Sequence, residues 1–124
     1  MNAVNQGNIK RQGCQYYSRT FQGTIAANAV TIDWNNGNVQ YLTLPNSSTT
    51  TITFANPAPG TRLLLILKQA GASAGLITWG SSGIMRWMGG GTAPTISVGT
   101  GKIDICGFVY DDVDSLYLSS FQAY

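Results

Sequence analysis

Pro59-Gly60-Thr61-Arg62-Leu63-Leu64-Leu65-Ile66-Leu67-Lys68-Gln69-Ala70-Gly71 sets five consecutive aliphatic residues between a Pro-Gly pair and a glycine-rich run. A run this short has no period that separates helix from strand, so its punctuation has to decide. Pro-Gly before it and Gly71-Ala72-Ser73-Ala74-Gly75 after it favour a strand, and a strand apolar at every position is buried on both faces. The expectation is one face in the core and the other in a subunit contact.

Outward from this run, β-favouring stretches alternate with turn clusters at a spacing of about 8–12 residues, the signature of a sandwich or barrel. Strands are expected at 29–34, 39–44, 49–54, 62–69, 76–79, 84–87, 95–98, 102–110 and 115–121. Between them lie Asn35-Asn36-Gly37-Asn38, Pro45-Asn46-Ser47-Ser48, Asn56-Pro57-Ala58-Pro59-Gly60 and further Gly-rich clusters, which supply the fixed or positive φ that turns need. Thr51-Ile52-Thr53-Phe54 alternates as a strand with one wet face should. No segment carries a helical stripe, and 15 Gly with many Asn, Ser and Thr exclude a helical bundle. Residues 1–20 are polar and lack a sustained period. The expected architecture is an antiparallel β-sandwich or jelly-roll-like domain over 21–124, with 1–20 as an extended N-terminal arm.

At 124 residues the chain fits one domain. Hydrophobic residues make up 44%, enough for a core, but charged residues only 10%, against about 25% in ordinary domains. The surface is therefore largely uncharged. The absence of histidine excludes Ser-His-Asp, Cys-His and His-metal chemistry. Cys14 and Cys106 have no close-spaced partner for a zinc or redox motif, and are either two buried thiols or one long-range bridge. No apolar run approaches the roughly 18 residues of a membrane span, and Met1-Asn2-Ala3-Val4-Asn5-Gln6 lacks the regions of a signal peptide. A net charge of +2 is too small to imply a nucleic-acid or membrane partner. Its distribution is uneven: Lys10, Arg11 and Arg19 come early, while Asp104, Asp111, Asp112 and Asp114 come late. That asymmetry suits contact between an arm and an acidic surface.

Read in order, Ala29-Val30-Thr31-Ile32-Asp33-Trp34-Asn35-Asn36-Gly37-Asn38-Val39-Gln40-Tyr41-Leu42-Thr43-Leu44, Thr51-Ile52-Thr53-Phe54-Ala55-Asn56-Pro57 and Pro59-Gly60-Thr61-Arg62-Leu63 form a pattern. It continues through Leu65-Ile66-Leu67-Lys68-Gln69, Ile77-Thr78-Trp79, Gly91-Thr92-Ala93-Pro94-Thr95 and Lys102-Ile103-Asp104-Ile105-Cys106-Gly107-Phe108-Val109-Tyr110-Asp111. Across residues 28–121 it resembles a β-rich module of virion proteins of tailed bacteriophages, found in tail-fibre segments and small head or tail surface proteins. The resemblance implies a non-enzymatic structural protein, all-β and trimeric, made in the host cytoplasm and placed on the particle surface. Its partners would be its own copies and the major capsid protein or another virion protein, with no cofactor. Because the module is nearly the whole chain, a capsid decoration or cement protein is expected first. A tail-fibre or receptor-binding tip recognising a host-surface glycan is the alternative.

The residues expected to make assembly contacts are Lys10, Arg11 and Arg19 on the arm, and Met85, Trp87 and Met88 in an apolar stretch between glycine turns, which water would not tolerate exposed. Trp34 and Trp79 are expected in the core or an interface. Asp111-Asp112-Val113-Asp114 reads as a turn rather than a cation site, since its spacing is not that of a calcium loop. Asp104 points away from Ile103 and Ile105, and if buried it needs Lys, Arg or backbone partners. Gly89-Gly90-Gly91 lacks the Lys-Ser/Thr and the helix of a phosphate loop and reads as a turn. A glycosidase built on two carboxylates and an oligonucleotide-binding barrel are the rival classes, each poorly served by so few charged residues.

Overall fold

A computed structural model describes residues 19–21, 25, 28–89 and 91–124. Among them nine strands follow in chain order: β1 (Arg19–Phe21), β2 (Ala29–Asp33), β3 (Val39–Leu44), β4 (Thr49–Ala55), β5 (Arg62–Gln69), β6 (Leu76–Trp79), β7 (Met85–Trp87), β8 (Ile103–Asp111) and β9 (Leu116–Ala123). Two one-turn 3-10 segments, Trp34–Asn36 and Ser82–Ile84, interrupt them. The fold is all-β, as the turn chemistry and the β-favouring runs require. β1 straddles the expected boundary at residue 20, and its backbone pairs with β3.

The strands form a six-stranded sheet in the order β1-β3-β5-β8-β9-β7 and a three-stranded sheet in the order β2-β4-β6. The expectation of antiparallel pairing is corrected by the registers. β1 with β3, β3 with β5, β2 with β4, β4 with β6, and β7 with β9 all run parallel. Only β5 with β8 and β8 with β9 are antiparallel. The reason lies in the path of the chain. From β1 to β6 it alternates between the sheets, so each strand of one sheet is the crossover that a parallel pair in the other sheet needs. Arg19 pairs with Val39, Ala29 with Thr51, Val39 with Leu64 and Thr49 with Leu76, so a circuit takes 20 to 27 residues. After β6 the path changes, and β8 and β9 complete the larger sheet as a hairpin closed by the Asp111–Ser115 turn.

Alternation along each strand puts one face of each sheet into a shared core. Leu63, Leu65 and Leu67 of β5 are buried there with Leu42 and Leu44 of β3, and Ile52 and Phe54 of β4 meet them from the smaller sheet. Phe108 is the hub of the aromatic part, with its ring 4.9 Å from that of Phe54, 5.9 Å from Trp87 and 6.3 Å from Trp34 and Trp79. Phe54 sits edge-on to Trp34, Trp79 and Tyr117 as well, the geometry that ring quadrupoles favour. The core placement expected for Trp34 and Trp79 holds.

The run at 95–98, expected to be a strand, is irregular. Its backbone groups are taken by side chains instead of a ladder: Ser97 N donates to Asp104 Oδ2 at 2.6 Å, and Gln69 Nε2 donates to Ser97 O at 2.9 Å. These bonds hold Ile96 in the core without a strand partner. Gln69 also clamps the β5–β6 loop, donating to Gly75 O and accepting from Gly75 N, both at 2.9 Å. Gly75 has to be glycine here, because a Cβ would lie 2.6 Å from Pro45 O and 2.9 Å from Leu44 Cβ. Buried Gln40 closes the turn after β2 in the same manner, donating to Asp33 O at 2.7 Å and Gly37 O at 3.0 Å.

Candidate interaction surface

Each sheet also has an outer face, and the two differ chemically. On the three-stranded sheet, Thr31, Thr51, Thr53 and Thr78 lie on the face opposite the buried Ile32, Ile52 and Phe54.

On the six-stranded sheet the outer face is apolar through its middle. With Leu63, Leu65 and Leu67 turned inward, Leu64 and Ile66 face outward and are half-buried by their neighbours. The registers place Val39 and Gly107 beside Leu64, Ile105 beside Ile66, and Ile103 beside Lys68. One row further on, Arg62, Val109, Leu118 and Arg86 stand abreast. Val109 is 37% exposed and Leu118 47%. Of the sequence expectation for β5, the inward face in the core is observed; the outward face carries Leu64 and Ile66. The flanking members Val39, Ile103, Ile105, Val109 and Leu118 were not singled out by sequence. Alternation in Lys102-Ile103-Asp104-Ile105-Cys106 was the available signal, with the inward Asp104 marking the isoleucines as outward.

A second feature lies at the β7 edge of this sheet. Met88 follows β7 and is 76% exposed. On one side a shallow cleft of about 390 Å³ is lined by Arg86, Trp87, Met88, Leu118, Ser119 and Ser120. On the other a smaller one of about 230 Å³ is lined by Trp87, Met88, Thr92, Pro94, Ser120 and Phe121.

Of the residues expected to contact a partner, Met85 and Trp87 are buried in this chain's own core, Trp87 with its ring 5.4 Å from that of Trp79. The stretch is a short strand with two residues inward rather than an apolar loop left for a neighbour to cover, and Met88 alone among the three projects. Lys10 and Arg11 lie outside the described residues. The Arg19 backbone begins β1 and pairs with Val39.

The sequence candidates Asp111 and Asp104, and Asp33 with them, serve structure. Asp111 Oδ1 accepts from Val113 N at 3.0 Å and Asp114 N at 3.5 Å, as a turn carboxylate does. Asp33 Oδ1 accepts from Asn56 Nδ2 at 3.0 Å and Asn35 N at 2.9 Å, and these bonds hold its carboxyl below the usual carboxylate range. Asp104 is buried and finds a backbone partner in Ser97 N, while its Oδ1 is buried without one.

Cys106 is a free, buried thiol, and Cys14 lies outside the described residues. Burial, with the Asp104 carboxylate adding, pushes the Cys106 thiol from 9.0 up to about 12. Burial and the neighbouring Tyr110 raise Tyr117 from 10.0 to about 12 as well. The unfolded chain therefore releases these protons at lower pH than the folded one, so stability present at neutral pH declines as pH rises from about 9 toward 12. Urea midpoints measured at about pH 8 and about pH 11 are expected to fall, and Cys106→Ala is expected to make the fall shallower. An unchanged midpoint across that range would contradict the burial of both groups.

Compared with family models, curated proteins and solved structures, the chain matches none.

Proposed function

We propose that the chain is a non-enzymatic structural protein of a bacteriophage particle, working as an oligomer that decorates the head surface. The observation that carries this is the apolar outer face of the six-stranded sheet. Half-buried Leu64, Ile66, Ile103 and Ile105 with exposed Val109 and Leu118 form a contiguous apolar patch, and larger patches of this kind mark contacts with other proteins. The outer face of the three-stranded sheet is more polar, with Thr31, Thr51, Thr53 and Thr78 on it and Leu76 at its edge. The order of motifs across residues 28–121, which resembles phage virion modules, supplies the setting. The two sheets over one core are read as a sandwich whose strands run mostly parallel, and three copies are the number that the resemblance implies. Adhesion by area is the mechanism: apolar faces and backbone edges meet, with no bond made or broken.

Binding to heads tests this. The purified chain is expected to saturate decoration-free heads of the encoding phage at a fixed stoichiometry, and to lose binding when residues 1–20 are removed. Absence of binding by the intact chain would overturn the decoration role. The clefts beside Met88, lined also by Trp87 and, in the smaller one, by Phe121, are where a sugar would bind under the tail-tip alternative. Binding to host cells or glycans that Met88→Asp abolishes would move the protein from head to tail.

A further inference from the structure

We infer that the apolar outer face of the six-stranded sheet is covered by a second copy of this chain, directed so that the acidic end of one face meets the basic end of the other. The inference rests on the proposed structural role for its setting alone, because the contact requires nothing but the chain itself.

Area favours a copy as the occupant. The six strands lie about 4.8 Å apart, three of them eight or nine residues long and the others three to six, so the face offers on the order of 600 Å². A stable interface takes about 800 Å² from each partner, and loops at the rim supply the remainder. The centre of the face is aliphatic and without charge, as the core of an interface between copies is.

Charge sets the direction. β5 and β8 are antiparallel, with Arg62 opposite Val109 and Lys68 opposite Ile103. The turn carrying Asp111, Asp112 and Asp114 thus projects from one end of the face, while Lys68 and Lys102 stand at the other, about 20 Å away along the strands. Arg62 and Arg86 lie in the row beside the acidic turn, Arg86 bonded to the carbonyls of Gly83 and Met85, so this end keeps a small excess of negative charge while the lysine end is positive throughout. Two copies facing in the same direction would set aspartates on aspartates and lysines on lysines. Opposed ends give attraction at both, and a face that meets the same face of its neighbour closes a two-fold pair.

The test is the mass of the full chain in solution, read by light scattering after size exclusion at micromolar concentration. More than one copy per particle is expected. Leu118→Lys, which puts a charge at an exposed position without touching the core, is expected to weaken self-association by about a hundredfold with an unchanged far-ultraviolet circular dichroism spectrum. A double variant Lys68→Asp/Lys102→Asp is expected to assemble poorly alone and to recover when mixed with Asp112→Lys/Asp114→Lys. A monomeric wild type, or an oligomer that Leu118→Lys leaves intact, would overturn the inference. If the monomer still saturates phage heads, the particle role stands without this contact. If the oligomer forms as inferred but heads do not bind it, the contact stands and the particle role falls.

Discussion

Replacing Phe108 by alanine is expected to lower the unfolding free energy by about 4 kcal/mol, the range found when a fully enclosed phenylalanine is removed from a packed core. Phe108 is 1% exposed and belongs to β8 in the middle of the larger sheet. Its ring approaches those of Phe54, Trp87, Tyr117, Trp34 and Trp79 within 4.9 to 6.3 Å. These come from both sheets, so truncation opens a cavity where the sheets meet and removes the edge-to-face contacts of several rings at once. Against a total stability of about 5–15 kcal/mol for an ordinary domain, the variant is expected to be partly unfolded at growth temperature. Urea unfolding followed by tryptophan fluorescence measures the loss, and a loss below about 1 kcal/mol would mean that the sheets do not close over this ring.

Gln69→Leu is expected to cost about 3 kcal/mol although it makes the interior more apolar. The side chain is 3% exposed and makes three hydrogen bonds, two with Gly75 and one with Ser97 O. Leucine fills a similar volume but leaves a buried N–H and two carbonyls without a partner, each at about 1–3 kcal/mol before relaxation. The damage is expected to be local first. Gln69 fastens the Gly75 end of the β5–β6 loop, whose Ser73 end is held by Asn46, and with Asp104 it fastens the segment around Ile96, so amide exchange is expected to rise at Gly75 and Ser97 ahead of the β5 and β8 ladders. Uniform protection across these sites would contradict the clamp.

The strands were legible in the sequence because their ends are written in turn residues. β3, β5 and β6 have the bounds that their punctuation implies. Pairing direction was not legible. The spacing that signals successive strands is the same whether the next strand pairs with its predecessor or crosses to another sheet. The circuit carries no repeated motif: aligned positions read Gln40 against Leu65 and Leu44 against Gln69. The uninterrupted Leu63–Leu67 run was the one hint of a parallel strand, because alternation with polar residues is what an antiparallel strand with a wet face shows. The outward apolar side chains of β5 followed from the same run. Met85 and Trp87 were read outward because flanking glycines suggest an exposed loop, whereas the tertiary pairing of β7 with β9 turns them inward. Residues 95–98 were read as a strand from composition, and lost that state to side chains 28 and 7 positions away in sequence.

The central proposal is that the chain is part of a phage particle, and the measurement that reaches it most directly is copy number. Purified particles of the encoding phage, resolved by gel and quantified against the major shell protein, are expected to contain hundreds of copies of this chain, the count of a surface lattice. A count of a few to a few tens would place it at the tail or a vertex and make receptor binding its role. No copies in the particle would contradict the proposal altogether.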